Sequence, residues 1–389
     1  MKTQLLLAIW LLISLSIPAA ADDSLKQMFT NASVRGEFKV LSFTRDVANG
    51  GYNQDIAVGG MLYYKTSSLN GIRLGVSFAT TSPSGENDDK GSYYGIAAPD
   101  HDSVSRLQEY YLQYDRFDTQ LKIGAQELNT PFLGIHPIRM LNRSYRGLSL
   151  VNNSIKNLTF SACYLTDNLG WVDDKFISFN GDVYIGGIAY RVPTESADIK
   201  LQAWAFTMVN NLDQTFFKVN LAKQFGDFVL HAAPAFMTQK SKGDESLAEV
   251  DTYQYGLKAG VTAFGLDLTG FYARTGDDSL LDRWGQEKII NQQVRNSGDE
   301  HAGDRGDEDA YAVRLSYDFA KTGLDGLSAD IFYANYDAPT ETIYETDFTV
   351  QYTFSTILKG LCFRARYAIV EADKQPDLTD TRFYLTYKF

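Results

Sequence analysis

The last nine residues, Thr381-Arg382-Phe383-Tyr384-Leu385-Thr386-Tyr387-Lys388-Phe389, decide the fold of this chain. In an extended backbone successive side chains point to opposite faces. Phe383, Leu385, Tyr387 and Phe389 therefore share one face, and Arg382, Tyr384, Thr386 and Lys388 share the other. One face is aromatic and apolar, the other polar and charged, and the chain stops on an aromatic residue. A sheet with a dry core on one side would satisfy this pattern. So would a strand with lipid on one side and a wet lumen on the other.

The same period of two recurs upstream. Leu361, Phe363, Ala365 and Tyr367 oppose Cys362, Arg364, Arg366 and Ala368. Phe348, Val350, Tyr352 and Phe354 oppose Asp347, Thr349, Gln351 and Thr353, and Val313, Leu315, Tyr317 and Phe319 oppose Arg314, Ser316 and Asp318. The connections choose between the two environments, because they sort by end. Long links run over Val47 to Tyr52, Ser82 to Ser103, Glu127 to Ser144, Asp167 to Asn180, Gln239 to Asp251, Thr275 to Glu308, Asp337 to Ile343 and Asp373 to Asp380. Tight links alternate with them, such as Ser68 to Asn70, Phe117-Asp118, Gly226-Asp227 and Ala263 to Gly265, and only Asn210-Asn211 is tight on the long side. A soluble sandwich has no reason to separate its loops this way, whereas outer-membrane barrels carry short turns on one side and long loops on the other. The expected fold is all-β, a transmembrane antiparallel up-and-down β-barrel of about 18 strands, with 16 the alternative count.

The N-terminus fits that destination. Lys2 precedes an apolar run from Leu5 to Ile17, and Pro18-Ala19-Ala20-Ala21 offers small residues for cleavage before Asp22. This is the layout of a secretory signal peptide over 1–21, leaving 22–389 as one barrel domain. The run is shorter than the roughly 20 residues a membrane helix needs, and no uninterrupted apolar stretch of that length follows. The 24 Tyr, 24 Phe and 31 Gly, against 9 Pro and 2 Cys, suit a barrel with aromatic girdles. Cys163 and Cys362 read as unpaired thiols. A net charge of −12 argues against a nucleic-acid partner.

Several stretches resemble the OprD family of outer-membrane channels for amino acids and other small carboxylates. They are Tyr317-Asp318-Phe319 with Gly326-Leu327, Glu345-Thr346-Asp347, Lys359-Gly360-Leu361 with Arg364-Ala365-Arg366-Tyr367, and Thr381-Arg382-Phe383. A second set runs from Gly124 through Thr130-Pro131 and Arg139-Met140-Leu141 to Tyr145-Arg146-Gly147 and is similar to the family's third loop and the strand after it. Pro137 and Asn142 depart from the family's usual acidic residue and proline, which leaves the path of that loop open. The resemblance implies a monomeric barrel in the Gram-negative outer membrane, narrowed by inward loops, with an arginine track to which Arg364, Arg366 and Arg382 correspond. It also implies assembly through the C-terminal strand.

The alternation places further basic residues on the lumen side: Arg35, Lys39, Arg73, Lys122, Lys200, Lys218, Lys258 and Arg314. Fixed positive charge along a narrow, low-dielectric channel concentrates anions and passes a carboxylate between sites. The bland alternative is that these cations neutralise lumen acids such as Glu37, Glu109, Asp115, Asp318, Asp330 and Asp347. Arg139, Arg143 and His136, in a loop expected to fold inward, are constriction candidates. The longest loop, Thr275 to Glu308, is acidic and reads mostly as a solvated external surface, with Asp307 and Asp309 as possible partners for the ammonium of a zwitterion.

Other functions find less support. His101, His136, His231 and His301 stand singly, without metal-ligand spacing. No Gly-x-Ser-x-Gly elbow or phosphate loop is present, so no metal or cofactor is expected. A rim enzyme would have to recruit His101 or His301, and an adhesin would use Arg305-Gly306-Asp307. A general, unselective porin is the nearer alternative, commonly a trimer with acids on its inward loop, where this chain has Arg139 and Arg143.

Overall fold

A strand crossing lipid has no water for its backbone, so it must find a hydrogen-bonding neighbour on both sides. The computed structural model describes residues 21–84, 96, 102–244, 247–285, 287–290, 296–297, 300–356 and 358–389, and among these an 18-stranded antiparallel sheet meets that demand. The expected signal peptide lies almost wholly outside the described residues, as does His101; of His301 only the backbone is described.

The first six strands are β1 (Ser33–Val47), β2 (Tyr52–Lys65), β3 (Ile72–Pro83), β4 (Val104–Arg116), β5 (Thr119–Gln126) and β6 (Ser144–Asn152). Next come β7 (Leu158–Leu169), β8 (Ile177–Arg191), β9 (Asp198–Met208), β10 (Leu212–Phe225), β11 (Phe228–Ser241) and β12 (Asp251–Ala263). The last six are β13 (Leu266–Thr275), β14 (Asp309–Asp318), β15 (Leu327–Ala338), β16 (Glu341–Thr353), β17 (Leu361–Ala372) and β18 (Leu378–Lys388). Each pairs with the next, and β1 also pairs with β18 from Glu37↔Lys388 to Val47↔Leu378, which closes the sheet into a barrel.

The final strand has the two faces its sequence shows. Phe383, Leu385 and Tyr387 are exposed on the outside, whereas Asp380 and Arg382 are buried on the inside. Aromatic residues mark both rims of the outer surface. Tyr253, Tyr255, Tyr272 and Tyr311 follow one another at centroid spacings of 6.2, 6.2 and 5.2 Å at the long-loop end. The pairs Phe228–Phe264, Tyr317–Phe319, Tyr352–Phe354 and Tyr387–Phe389 do the same at the short-turn end. Amphipathic rings of this kind settle at the two boundaries of an apolar band.

The short turns owe their tightness to left-handed backbone. Phe117 and Asp118 sit at φ 51° and 54°, the pair of positive angles that joins twisted strands in two residues. One element went unread in the sequence. Ala21–Thr30 forms a helix, α1, whose Leu25, Met28 and Phe29 have i, i+3, i+4 spacing. Met28 is buried, and the carbonyls of Met28 and Phe29 accept from Ser67 N at 3.0 Å and Tyr64 Oη at 3.2 Å. Ten residues with three apolar positions carry little periodic signal, and the helix holds by docking on the β2–β3 turn.

The seam closes on the terminal residue. Gly36 N donates to the Phe389 carbonyl at 2.9 Å, Phe389 N donates back at 3.1 Å, and the Phe389 ring covers the space where a Gly36 side chain would be. A Cβ there would lie 2.2 Å from Phe389 Cζ. Gly36→Val should therefore destabilise the barrel by about 1–3 kcal/mol through overpacking, read as a lower urea midpoint of the refolded protein in detergent. Adding Phe389→Ala to Gly36→Val should recover part of that loss.

Candidate pore constriction and charged walls

The loop at residues 127–143, here L3, folds into the lumen. Its path is fixed by the wall: Lys39 Nζ on β1 donates to the carbonyls of Pro137 and Arg139, each at 3.2 Å, and pairs with Glu37 at 2.6 Å. A bulge helps from the opposite side. Between Ser77 and Phe78 the register of β3 and β4 slips, so Gln108 becomes an extra residue that reaches inward beside Arg106 and Glu109. Gln108 Nε2 then donates to the Asn142 carbonyl at 2.9 Å, and Arg106 Nη2 to the same carbonyl at 2.7 Å. A strict period of two breaks at such a bulge, and Arg106 and Gln108 were accordingly missed as lumen residues. Inside L3 the Thr130 hydroxyl accepts from Phe132 N and Leu133 N, folding both side chains into a buried cluster with Tyr145, Phe206 and Leu280.

The loop at 276–308, here L7, meets L3 directly. Gly134 N donates to the Trp284 carbonyl at 2.9 Å, Glu287 N to the Pro131 carbonyl at 2.7 Å, and Tyr145 Oη to both Gly134 and Trp284 carbonyls at 3.1 Å. Arg143 Nη1 donates to the Arg283 carbonyl at 2.6 Å. The described side chains of L7 are therefore largely internal, which corrects the reading of this part of the loop as a solvated surface. Some of its acids are used within it: Lys288 lies between Asp282, at 3.1 Å, and Asp304, and Arg305 pairs with Glu308 and donates to the Tyr336 carbonyl at 3.0 Å. The two carboxylates hold Lys288 charged above the usual lysine range despite its burial. Burial outweighs Arg305 at Glu308 and pushes that carboxyl up to about 7. Arg305 is buried, so the Arg305-Gly306-Asp307 tripeptide presents no free guanidinium.

The three L3 candidates come together around Trp171. The guanidinium of Arg143 lies 4.1 Å and that of Arg139 5.2 Å from the Trp171 ring, and the His136 ring is 5.6 Å away. Burial and the nearby Arg143 lower the His136 pKa. Arg106 holds the stretch that carries Trp171 by donating to the carbonyls of Gly170 at 2.7 Å and Asp173 at 2.5 Å. Asp307 and Asp309 sit elsewhere: both take Arg274, at 2.9 and 2.8 Å, on the outward phase of the long-loop rim, where Asp309 also accepts from Tyr272.

Along the walls, the basic residues divide by what they are doing. Arg366 on β17 faces Arg382 on β18 across the register, with Arg364 one step toward the short-turn end. Arg382 is buried and bound through Nε and Nη2 to Asp380 at 2.7 and 3.1 Å, and Asp380 also takes Arg45 at 2.9 Å. Arg364 stacks 4.0 Å over the Tyr384 ring. The Nε atoms of Arg364 and Arg366 have no hydrogen-bond partner, and neither side chain forms an ion pair among the described residues. Arg73 pairs with Asp115, and Arg314 reaches Asp330 at 3.4 Å, so these two neutralise wall acids. Arg35 and Lys122, over the rings of Tyr63 and Tyr111, line a cavity of about 430 Å³ below L3 together with Lys65, Glu109 and Glu127. Lys200 lies on the far wall with Lys218, Lys258 and Arg314.

Both cysteines are free thiols. Among the described residues no group of three His, Cys, Asp or Glu side chains is placed to hold a metal ion. His231 instead bonds Asp267 at 2.9 Å within the lumen wall.

A family model described as outer membrane porin, OprD family, matches residues 100–389. No curated protein gives a significant sequence match. OccK9 (OpdG) of Pseudomonas aeruginosa superposes with a TM-score of 0.82 at 22% identity, covering 93% of this chain and 99% of that one. OccAB3 of Acinetobacter baumannii gives 0.82 at 18% identity over 92% and 99%. OpdK of Pseudomonas aeruginosa, solved with vanillate, gives 0.81 at 17% identity over 93% and 99%. At these identities the likeness is one of fold.

Removing the anchor of L3 should widen the opening. Lys39→Met leaves two loop carbonyls without their donor, at a cost of about 1–3 kcal/mol, and single-channel conductance in a planar bilayer should rise and become noisier. The latch in L7 responds to pH. Because the folded loop favours protonated Glu308, its stability is full below the ordinary carboxyl range and is lost as pH rises toward about 7. Loop flicker recorded in bilayers should grow over that window in the native chain and stay flat in Glu308→Gln.

Proposed function

We propose, for a chain that belongs to the OprD family of outer membrane porins, that it passes small carboxylates, amino acids among them, by passive diffusion past an arginine wall and between its two inward loops. The observation that carries this reading is the difference between Arg382 and its neighbours. Arg382 is buried on Asp380, while Arg364 and Arg366 keep guanidinium groups that no carboxylate among the described residues pairs with. A planar guanidinium can take a solute carboxylate with two parallel hydrogen bonds and does not lose its charge near neutral pH. Asp380 fixes the third cation rigidly beside them, so the wall remains positive without an open charge at every position.

The constriction supports the same sign of selectivity. Arg139 and Arg143 lie against Trp171 where L3 turns through the lumen, and an anion leaving the arginine wall meets cations again there. OpdK, of the same fold, was solved with vanillate, itself a carboxylate. No energy source is needed, since a porin only lets solutes run down their gradient. Residues 1–21 are the signal peptide in this reading, the short turns face the periplasm, β18 with Phe389 is the strand offered to the assembly machinery, and the barrel acts as a monomer.

The test is reversal potential of the refolded chain in asymmetric potassium chloride, before and after Arg364→Gln with Arg366→Gln. Anion preference should fall roughly threefold in the double variant, as loss of fixed lumen charge dictates. Equal permeability to both ions in the native chain, with a large conductance, would instead identify a general porin.

A further inference from the structure

Below L7, toward the short-turn end, the wall made by β8 to β14 lines a cavity of about 490 Å³. Lys200, Lys218, Lys258 and Arg314 line it around the ring of Phe271. Lys258 Nζ and the Arg314 guanidinium lie 5.7 and 6.0 Å from the centre of that ring. This cluster is on strands other than β17 and β18, which carry the arginine wall. Its cations are unequally committed. Arg314 leans on Asp330, Lys218 is paired with Glu287 of L7, and Lys200 and Lys258 have no ion pair among the described residues.

We propose that this cavity is a second carboxylate site and that Glu287, paired with Lys218 of its lining, is a tethered competitor, which an incoming carboxylate displaces from Lys218. The proposal rests on the carboxylate-channel reading above and adds a site and a coupling to it. Three features support it. The Glu287 side chain is 37% exposed, so water and solute can reach the ion pair, whereas Lys218 is only 15% exposed and needs a replacement anion once Glu287 leaves. The exchange is chemically even, one carboxylate for another, so no buried cation is left bare. Lys258, which forms no ion pair with Glu287, then supplies a second charge to the solute.

Displacement has a mechanical consequence. The backbone N–H of Glu287 donates to the Pro131 carbonyl of L3, so the residue that grips Lys218 also joins the two loops. The next residue, Lys288, is held between Asp282 and Asp304 and gives L7 a fixed point beside the moving one. A tethered carboxylate competes at a high effective concentration. The loop joint would therefore loosen only when solute accumulates below the constriction, which couples occupancy of the lower lumen to the opening above it.

The experiment uses the full refolded chain in a planar bilayer, with benzoate added on the short-turn side and its dissociation constant read from block of the potassium chloride current. Benzoate suits the cavity because Phe271 offers its apolar body a surface. Glu287→Gln should tighten benzoate about fivefold by removing the tethered competitor, and Lys258→Met or Lys200→Gln should weaken it by a similar factor. In a Lys218→Met background the gain from Glu287→Gln should vanish. Unchanged benzoate affinity in Glu287→Gln overturns the proposal, and so does a gain that survives Lys218→Met, since that would be through-space charge alone. The arginine-wall reading fails separately, if Arg364→Gln with Arg366→Gln leaves the chloride preference intact while the Glu287→Gln gain persists.

Discussion

The seam between β1 and β18 is the constraint on which the rest of this structure depends. In lipid an unpaired amide or carbonyl costs several kcal/mol, so an open edge on either strand would forfeit the fold. Eleven register pairs along the seam, and the mutual hydrogen bonds of Gly36 with Phe389, remove that edge. Closure then gives every strand an inside and an outside, and the alternation of the sequence acquires its meaning. The outside faces become the apolar band between aromatic rims, and the inside faces become a channel wall.

A closed lumen sets its own problem, because loops that enter it bring carbonyls out of bulk water. The wall answers with long cationic side chains. Lys39 holds Pro137 and Arg139, Arg106 holds Asn142, Gly170 and Asp173, and within L7 Arg305 holds Tyr336. These charges are occupied in building the constriction. Hydrogen bonds to charged groups contribute more than neutral ones, and so a few such anchors can fix loops of this length. Arg364 and Arg366 on one wall, and Lys200 and Lys258 on another, have no such duty and no ion pair among the described residues.

Selectivity in such a channel is therefore a matter of accounting for partners. Arg73 with Asp115, Arg314 with Asp330 and Arg382 with Asp380 bear out the bland expectation that lumen charges neutralise one another. Arg364 and Arg366 have no ion pair among the described residues, although the whole chain carries −12. Part of the acid is internal to L7, where Asp282, Asp304 and Glu308 bind Lys288 and Arg305. Net charge thus says little about the ion a channel prefers.

The barrel, its closed antiparallel order and the phase of most strands were legible in the sequence, because strand phase is a local property with a period of two. Arg35, Lys39, Arg364 and Arg382 could be placed inside by counting alone. Counting failed where the period broke, at the bulge that turns Gln108 inward, and where periodic signal was too short, at α1. Of the loops only the inward fold of L3 was legible, not its path or its partners. Lys39 meets residues 98 and 100 positions away, Arg143 meets Arg283 across 140, and Arg45 meets Asp380 across 335. Sequence alone determined which cations face the lumen wherever the period of two held, Arg106 beside the bulge excepted. Only the tertiary structure decided which of them anchor loops, which are neutralised, and which stay open, because that depends on distances between segments that meet only once the barrel has closed.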